Sequence, residues 1–199
     1  LEIPKEVPEN YLRVYKRAIE NKKIVLKEFT SQRQMKPYIV PVFRLVNETY
    51  KNIFGFQAMD EEEMQQLAKR YLPLLAPSFT KLITDENNNP VAFVISNPDI
   101  SKGIIKSKGK LFPFGFLHIL LSARRSTQLD LLLGAMKEEY RSTGVMAILG
   151  TKIFEAAISK GMTTMDSHLI LETNLLMRGV MEKLGGKIYK RYRIYEKDI

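Results

Sequence analysis

From Gln128 to Met136 the chain is almost continuously apolar, carrying Leu129, Leu131, Leu132, Leu133, Ala135 and Met136, as a strand covered on both faces requires. A helical stripe follows over 145–160. There Val145, Ile148, Leu149, Ile153, Ala156 and Ala157 recur at helical spacing, and Gly161 supplies the stop. Leu169-Ile170-Leu171 then reads as a second buried strand. Strand, helix, strand over 128–172 is a crossover unit, so its two strands should run parallel.

The remaining segments supply partners for that unit. Tyr11, Leu12, Tyr15, Ala18 and Ile19 predict a helix over 9–21, and Lys23 to Phe29 a short strand. Val42, Leu45, Val46, Thr49 and Tyr50 mark another helix, opened near Pro41. Asp60 and Glu63 have capping-box spacing, with Met59 and Met64 placed as a hydrophobic staple. Behind them Met64, Leu67, Ala68, Tyr71, Leu72 and Leu75 form one apolar face. Phe79 to Thr84 and Val91 to Ser96, joined by Asp85-Glu86-Asn87-Asn88-Asn89-Pro90, predict an antiparallel hairpin.

Residues 99–127 form an insertion over one sheet edge, with short helices around 100–106 and 113–122. A helix from Leu175 to Leu184, capped by Thr173 or Asn174 and stopped at Gly185-Gly186, precedes a closing strand from Ile188 to Tyr195. The fold class is therefore α/β (an α+β mixed sheet flanked by helices). One domain covers 22–199, and residues 1–21 form an N-terminal helical extension.

Composition narrows the function classes. Among 199 residues there is no cysteine, which excludes disulfides and thiolate metal sites and suits a reducing, cytoplasmic setting. No apolar run reaches the roughly 18–20 residues that span a bilayer, and no membrane partner is expected. The opening Leu1-Glu2-Ile3-Pro4-Lys5 is neither a signal peptide nor an initiator, and reads as the edge of a fragment. Net charge is +9, an excess that attracts anions such as nucleic acid or a phosphorylated cofactor. Lys102 to Lys110 is either a flexible loop or a docking patch.

The chemistry-bearing stretch is Glu139-Tyr140-Arg141-Ser142-Thr143-Gly144, between a strand and a helix start. Helix N-termini offer unpaired N–H groups and partial positive charge to phosphates. Gly144 permits close backbone approach, and Arg141 can add a charged fork. An ordinary strand-to-helix turn has the same residues.

Tyr140-Arg141-Ser142-Thr143-Gly144-Val145-Met146 resembles the Q/R-x-x-G-x-G/A motif of the GNAT acyltransferases. Arg141 and Gly144 match it, whereas Met146 stands where a small residue is usual. The resemblance extends to Leu171-Glu172-Thr173-Asn174, to Glu182-Lys183-Leu184-Gly185-Gly186 and to Tyr192-Arg193-Ile194-Tyr195-Glu196-Lys197. Asn47 to Phe56 and Pro98 to Gly115 are similar to a little-characterised bacterial subgroup.

This resemblance implies an acyl-CoA N-acyltransferase, with acetyl-CoA as co-substrate and a small amine as acceptor. Its pantetheine arm would bond to backbone near Gly134, Ala135 and Met136. Its pyrophosphate would lie on Arg141, Ser142, Thr143, Gly144, Val145 and Met146, with Asn174 nearby. Glu172 and His118 are the candidate base residues, each with a structural alternative as a helix-start partner and as packing. His168 reads as packing. Where the family places a proton-donating tyrosine stands Met181, with Tyr189, Tyr192 or Tyr195 as replacements. No metal is expected, since the two histidines lack ligand spacing. A homodimer is left open. Two alternatives stand beside this reading: a GNAT-fold CoA-binding module without catalysis, and a nucleic-acid binder using Lys187, Lys190, Arg191 and Arg193. Strand alternation splits that basic run between two faces, which ranks nucleic acid third.

Overall fold

Five strands lie in chain order in one sheet: β1 (Ile24–Glu28), β2 (Thr80–Asp85), β3 (Pro90–Pro98), β4 (Gln128–Met136) and β5 (Thr164–Ser167). The first three junctions are antiparallel, and β4 with β5 is parallel, as the crossover predicts. The helices are α1 (Glu9–Ile19), α2 (Gln32–Met35), α3 (Ile39–Tyr50), α4 (Glu61–Tyr71), α5 (Ser101–Lys106), α6 (Gly115–Arg125), α7 (Val145–Ser159) and α8 (Leu175–Lys183). The computed structural model describes residues 1–20, 23–110, 112–193, 195 and 197. The expected boundary at 21–22, and Leu111, Ile194 and Glu196 of the resemblance, lie outside the described residues.

Alternation along the strands sends side chains to two layers. Ile83 and Ala92 join Val145, Ile148 and Leu149 of α7 and Ala18 of α1 on one face. Leu82 and Phe93 join Leu45 and Val46 of α3, with Met35 and Phe29, on the other. Each of the larger of these buried side chains (Val, Leu, Ile, Phe, Met) contributes about 1.5–3 kcal/mol. The capping box before α4 is present in both directions. Glu63 N–H donates to Asp60 Oδ1 at 2.9 Å, and Asp60 N–H to Glu63 Oε2 at 3.0 Å. Met64 is buried and Met59 packs on the same layer.

A bulge in β4 positions the site. Ile95 faces Leu133 while Ser96 faces Leu131, so Leu132 is the extra residue. On its N-terminal side Leu129 and Leu131 pack toward α7. Beyond it Leu133 and Ala135 pack toward α3. Asp130, opposite Asn97, therefore shares the α3 face.

Three expectations are corrected. Double-faced cover of β4 fails: only Leu129 is fully buried, and Leu132 is 40% exposed. The second crossover strand lies at 164–167, ahead of the apolar Leu169-Ile170-Leu171, because pairing with β4 stops at Ser167. Leu169 is 78% exposed. The closing strand is not formed among the described residues of 188–195. Ile188, Tyr189, Tyr192 and Tyr195 are exposed, and the four-residue β5 offers them only a short edge.

Candidate functional site

The β4–β5 ladder runs only from Gln128/Thr164 to Leu131/Ser167. Beyond it the His168 N–H reaches the Leu131 carbonyl at 3.3 Å, and no strand covers this edge of β4 among the described residues. Residues 132–136 continue with β3 on one side only. The Lys137 N–H donates to the Val91 carbonyl at 2.9 Å, which fixes the phase of the antiparallel ladder. Residues 135 and 133 then bond to β3, and the N–H and C=O of Gly134 and Met136 project to the bare edge. The Gly134 carbonyl accepts from the Tyr50 hydroxyl at 2.7 Å. Burial raises the Tyr50 pKa and the backbone bond offsets part of that, so the phenol stays a donor at neutral pH.

Past Met136 the chain turns into α7. The Ala147 and Ile148 N–H groups bond back to the Gly144 carbonyl. The N–H groups of Val145 and Met146, at the helix start, have no partner among the described residues. Arg141 and Ser142 are exposed, and Arg141 stands 3.4 Å from Glu138, an exposed pair that holds it weakly. Thr143 Oγ1 donates to the Tyr140 carbonyl at 2.7 Å. Gly144 has φ +83°, and a Cβ there would lie 2.6 Å from Ala18 Cβ. Its lack of a side chain is thus demanded by α1, a different reason from the expected ligand approach. A bare strand edge leading to a helix start beside an arginine suits an amide-bearing arm that ends in a diphosphate.

At the other end of β4 lies a constellation that sequence reading missed. Gln128 Nε2 donates to Asp130 Oδ1 at 2.8 Å, and His168 Nε2 stands 3.7 Å from Asp130 Oδ2. Asp130 is 13% exposed at its side chain and His168 54%. Burial pushes Asp130 above the usual carboxylate value, and the nearby Asp99 and Asp166 add to this. Gln128 and His168 oppose it. Asp166, level with Asp130 across the ladder, accepts a hydrogen bond from the Tyr189 hydroxyl, which pushes that phenol up to about 12. His168, read as strand packing, is instead half exposed just past β5. The available signal was Asp130 itself, the one charge within an apolar run.

The other candidates stand apart. Glu172 is exposed, its carboxylate 3.7 Å from Arg191 and its carbonyl accepting from Arg178 Nη1 at 3.1 Å. His118 is half-buried on α6, and its carbonyl lies against Gly103 of α5. Its imidazole has no hydrogen bond or ion pair among the described residues. Asn174 Oδ1 caps α8 by accepting from the Met177 N–H at 3.1 Å. Among the described residues no group of three or more His, Asp or Glu side chains forms a metal-ligand set.

Between α3, α4 and the sheet is a cavity of about 320 Å³. Phe29, Tyr38, Val42, Leu72 and Ile95 line it, and Leu132 and Leu133 of β4 form one wall. Almost all of its lining surface is apolar.

No family model matches the chain. It is 28% identical over 163 residues to Protein YghO of Escherichia coli (strain K12), covering 78% of this chain and 41% of that protein. It is 25% identical over 200 residues to the bacterial ceramide synthase of Caulobacter vibrioides (strain NA1000 / CB15N), covering 96% and 51%. The chain thus spans about half the length of the curated relatives it matches. Among solved structures it is similar to a possible acetyltransferase from Clostridium difficile 630, with TM-score 0.52, 15% identity and 89% and 98% coverage. It is equally similar to the aminoglycoside N-acetyltransferase AAC(6')-Iy in complex with CoA, with TM-score 0.52, 14% identity and 89% and 95% coverage. With its sheet parted between β4 and β5 and α7 set at the exit of the parted strand, this chain has the GNAT acetyltransferase fold.

Proposed function

We propose that the protein is an acyl-CoA-dependent N-acyltransferase whose substrates include a hydrocarbon chain, in place of the small amine expected from the sequence. One observation carries this reading: β4 presents a bare backbone edge at Gly134 and Met136, and the same strand walls the apolar cavity with Leu132 and Leu133. The name of the Caulobacter relative, a ceramide synthase, points to the same kind of substrate. The solved neighbour holding CoA supports the donor.

Acyl-CoA would supply a thioester whose carbonyl carbon is open to an amine. Gly134 and Met136 bond the amide-bearing arm, and the α7 start with Arg141 holds the diphosphate. The acidic end of the cleft, Asp130 with Asp166 and Asp99, draws in an ammonium group, which loses its first proton to solvent and becomes the free amine. His168 accepts the proton as the amine nitrogen bonds to the carbonyl carbon and the carbon–sulfur bond breaks. Asp130 holds the imidazole and stabilises its charged form. The thiolate leaves and takes a proton from solvent. Glu172 and His118, the sequence candidates, are here assigned no proton transfer. At about 320 Å³ the cavity falls at the small end of the range of ligand pockets.

Free-thiol release is the assay, with acetyl- and palmitoyl-CoA offered against a long-chain amino alcohol and against a short amine. Release only with a long chain on at least one substrate is expected. Equal rates with acetyl-CoA and the short amine would remove the chain from the reading, and no release with any pair would remove catalysis.

A further inference from the structure

Between β3 and β4 the chain leaves the sheet for 29 residues, 99–127, and returns where the Asp99 N–H meets the Gln128 carbonyl at 2.9 Å. Within 100–127 there is no aspartate or glutamate, against the six bases Lys102, Lys106, Lys108, Lys110, Arg124 and Arg125.

The two helices of this excursion meet through glycine. Across the pair a Cβ on Gly103 would lie 2.6 Å from the His118 carbonyl oxygen, and at the start of α6 one on Gly115 would lie 1.7 Å from the carbonyl oxygen of Lys110 in the connecting link. Because backbone meets backbone, the large apolar side chains are not consumed in holding the pair together. They face outward instead: Ile105 is 75% exposed, Phe112 86%, Phe114 65% and Phe116 55%. Along α6 the exposed positions 116, 117, 120, 121, 124 and 125 follow one stripe, apolar for two turns and then Arg124 and Arg125. The surface therefore combines uniform positive charge with unshielded aromatic and aliphatic groups.

We infer that the α5–α6 hairpin docks the protein onto an anionic lipid surface. Phenylalanines enter the headgroup–acyl boundary, and lysines and arginines reach back to the lipid phosphates. Positive charge alone would suit a nucleic acid equally well, and the exposed apolar groups decide against it. A nucleic acid would be bound through the bases and would leave four exposed aromatic and aliphatic side chains unused. No described helix is long and apolar enough to cross a membrane, so the attachment is to one leaflet. This differs from the sequence-based expectation of no membrane partner, and it stands independently of the acyltransferase reading.

The test is co-sedimentation of the whole chain with vesicles of phosphatidylcholine alone or with phosphatidylglycerol added, at low and high salt. Partition onto the anionic vesicles that falls with salt is expected, with little onto phosphatidylcholine. A Lys106→Ala/Lys108→Ala/Lys110→Ala variant should bind about a hundredfold more weakly, by the per-lysine attraction of a charged surface. Phe112→Ser/Phe114→Ser should also bind at least tenfold more weakly, while far-UV circular dichroism and thermal unfolding stay unchanged because both side chains are exposed. Absence of vesicle binding would overturn the inference. So would loss of monomer in the phenylalanine-intact chain alone, which would assign the face to a second copy. Salt-sensitive binding to duplex DNA or RNA that ignores the phenylalanine changes would assign it to nucleic acid.

Discussion

The Tyr50 hydroxyl of α3 donates to the Gly134 carbonyl of β4 at 2.7 Å, closing one of the backbone groups that the parting of β4 from β5 leaves without a strand. A helix from the opposite layer thus holds the bare edge in place and leaves the Gly134 and Met136 N–H groups facing the cleft. Replacing Tyr50 by Phe removes this bond and keeps the ring against Phe56. It should cost about 0.5–1.5 kcal/mol, or roughly 2–4 °C of Tm for each kcal/mol. Differential scanning calorimetry checks this, and an unchanged Tm would mean the bond holds nothing.

Asp130 gives the pH dependence. Its folded pKa is raised above 3.8, mainly by burial, so the folded state binds its proton more tightly than the unfolded chain. This carboxyl therefore favours folding at acid pH, and the contribution is lost as pH rises from about 3.8 through its folded value. Asp130→Asn should flatten that segment of the stability curve measured by urea unfolding across pH 3–7. It should also reduce thiol release by about 10²–10⁴-fold, as should His168→Ala. Wild-type turnover in both would reassign the proton.

Gly144→Ala confronts two obstacles at once, φ +83° and Ala18 Cβ at 2.6 Å. The left-handed backbone alone costs roughly 1–2 kcal/mol, and the contact adds to it. Ala18→Gly in the same molecule should recover the contact part only. In a double-mutant cycle the coupling should be nonzero and favourable. Strict additivity would show that α1 does not press on this turn.

Arg141→Ala should raise the Kd for CoA about tenfold or more, since a hydrogen bond to a charged group is worth roughly 1.5–3 kcal/mol. Desulfo-CoA should be affected equally and free pantetheine not at all. Calorimetric titration separates these, and equal weakening for pantetheine would place the arginine elsewhere.

Much of this fold was legible in local pattern. The Asp60–Glu63 capping box, the 80–85/90–98 hairpin, the parallel crossover and the Asn174 cap all depend on residues close in sequence. What was not legible depended on long-range pairing. Leu169-Ile170-Leu171 carries a stronger strand signal than Thr164-Met165-Asp166-Ser167, yet only the latter meets β4 in register. Likewise Ile188 to Tyr195 alternates, but the neighbour it would need is four residues long. The corner leading into α7 was readable as a strand-to-helix turn because Gly144 directly precedes the helical stripe. The Asp130–His168 pair was not, since it forms only when two strand ends 38 residues apart come level.

The proposed acyl-CoA site puts the amide-bearing arm of CoA along the bare edge of β4. Residue-resolved amide exchange by NMR, with and without saturating CoA, tests it most directly. Slowed exchange is expected at Gly134, Met136, Val145 and Met146, with the β2–β3 amides unchanged. CoA binding that leaves Gly134 and Met136 exchanging at their ligand-free rates would contradict it.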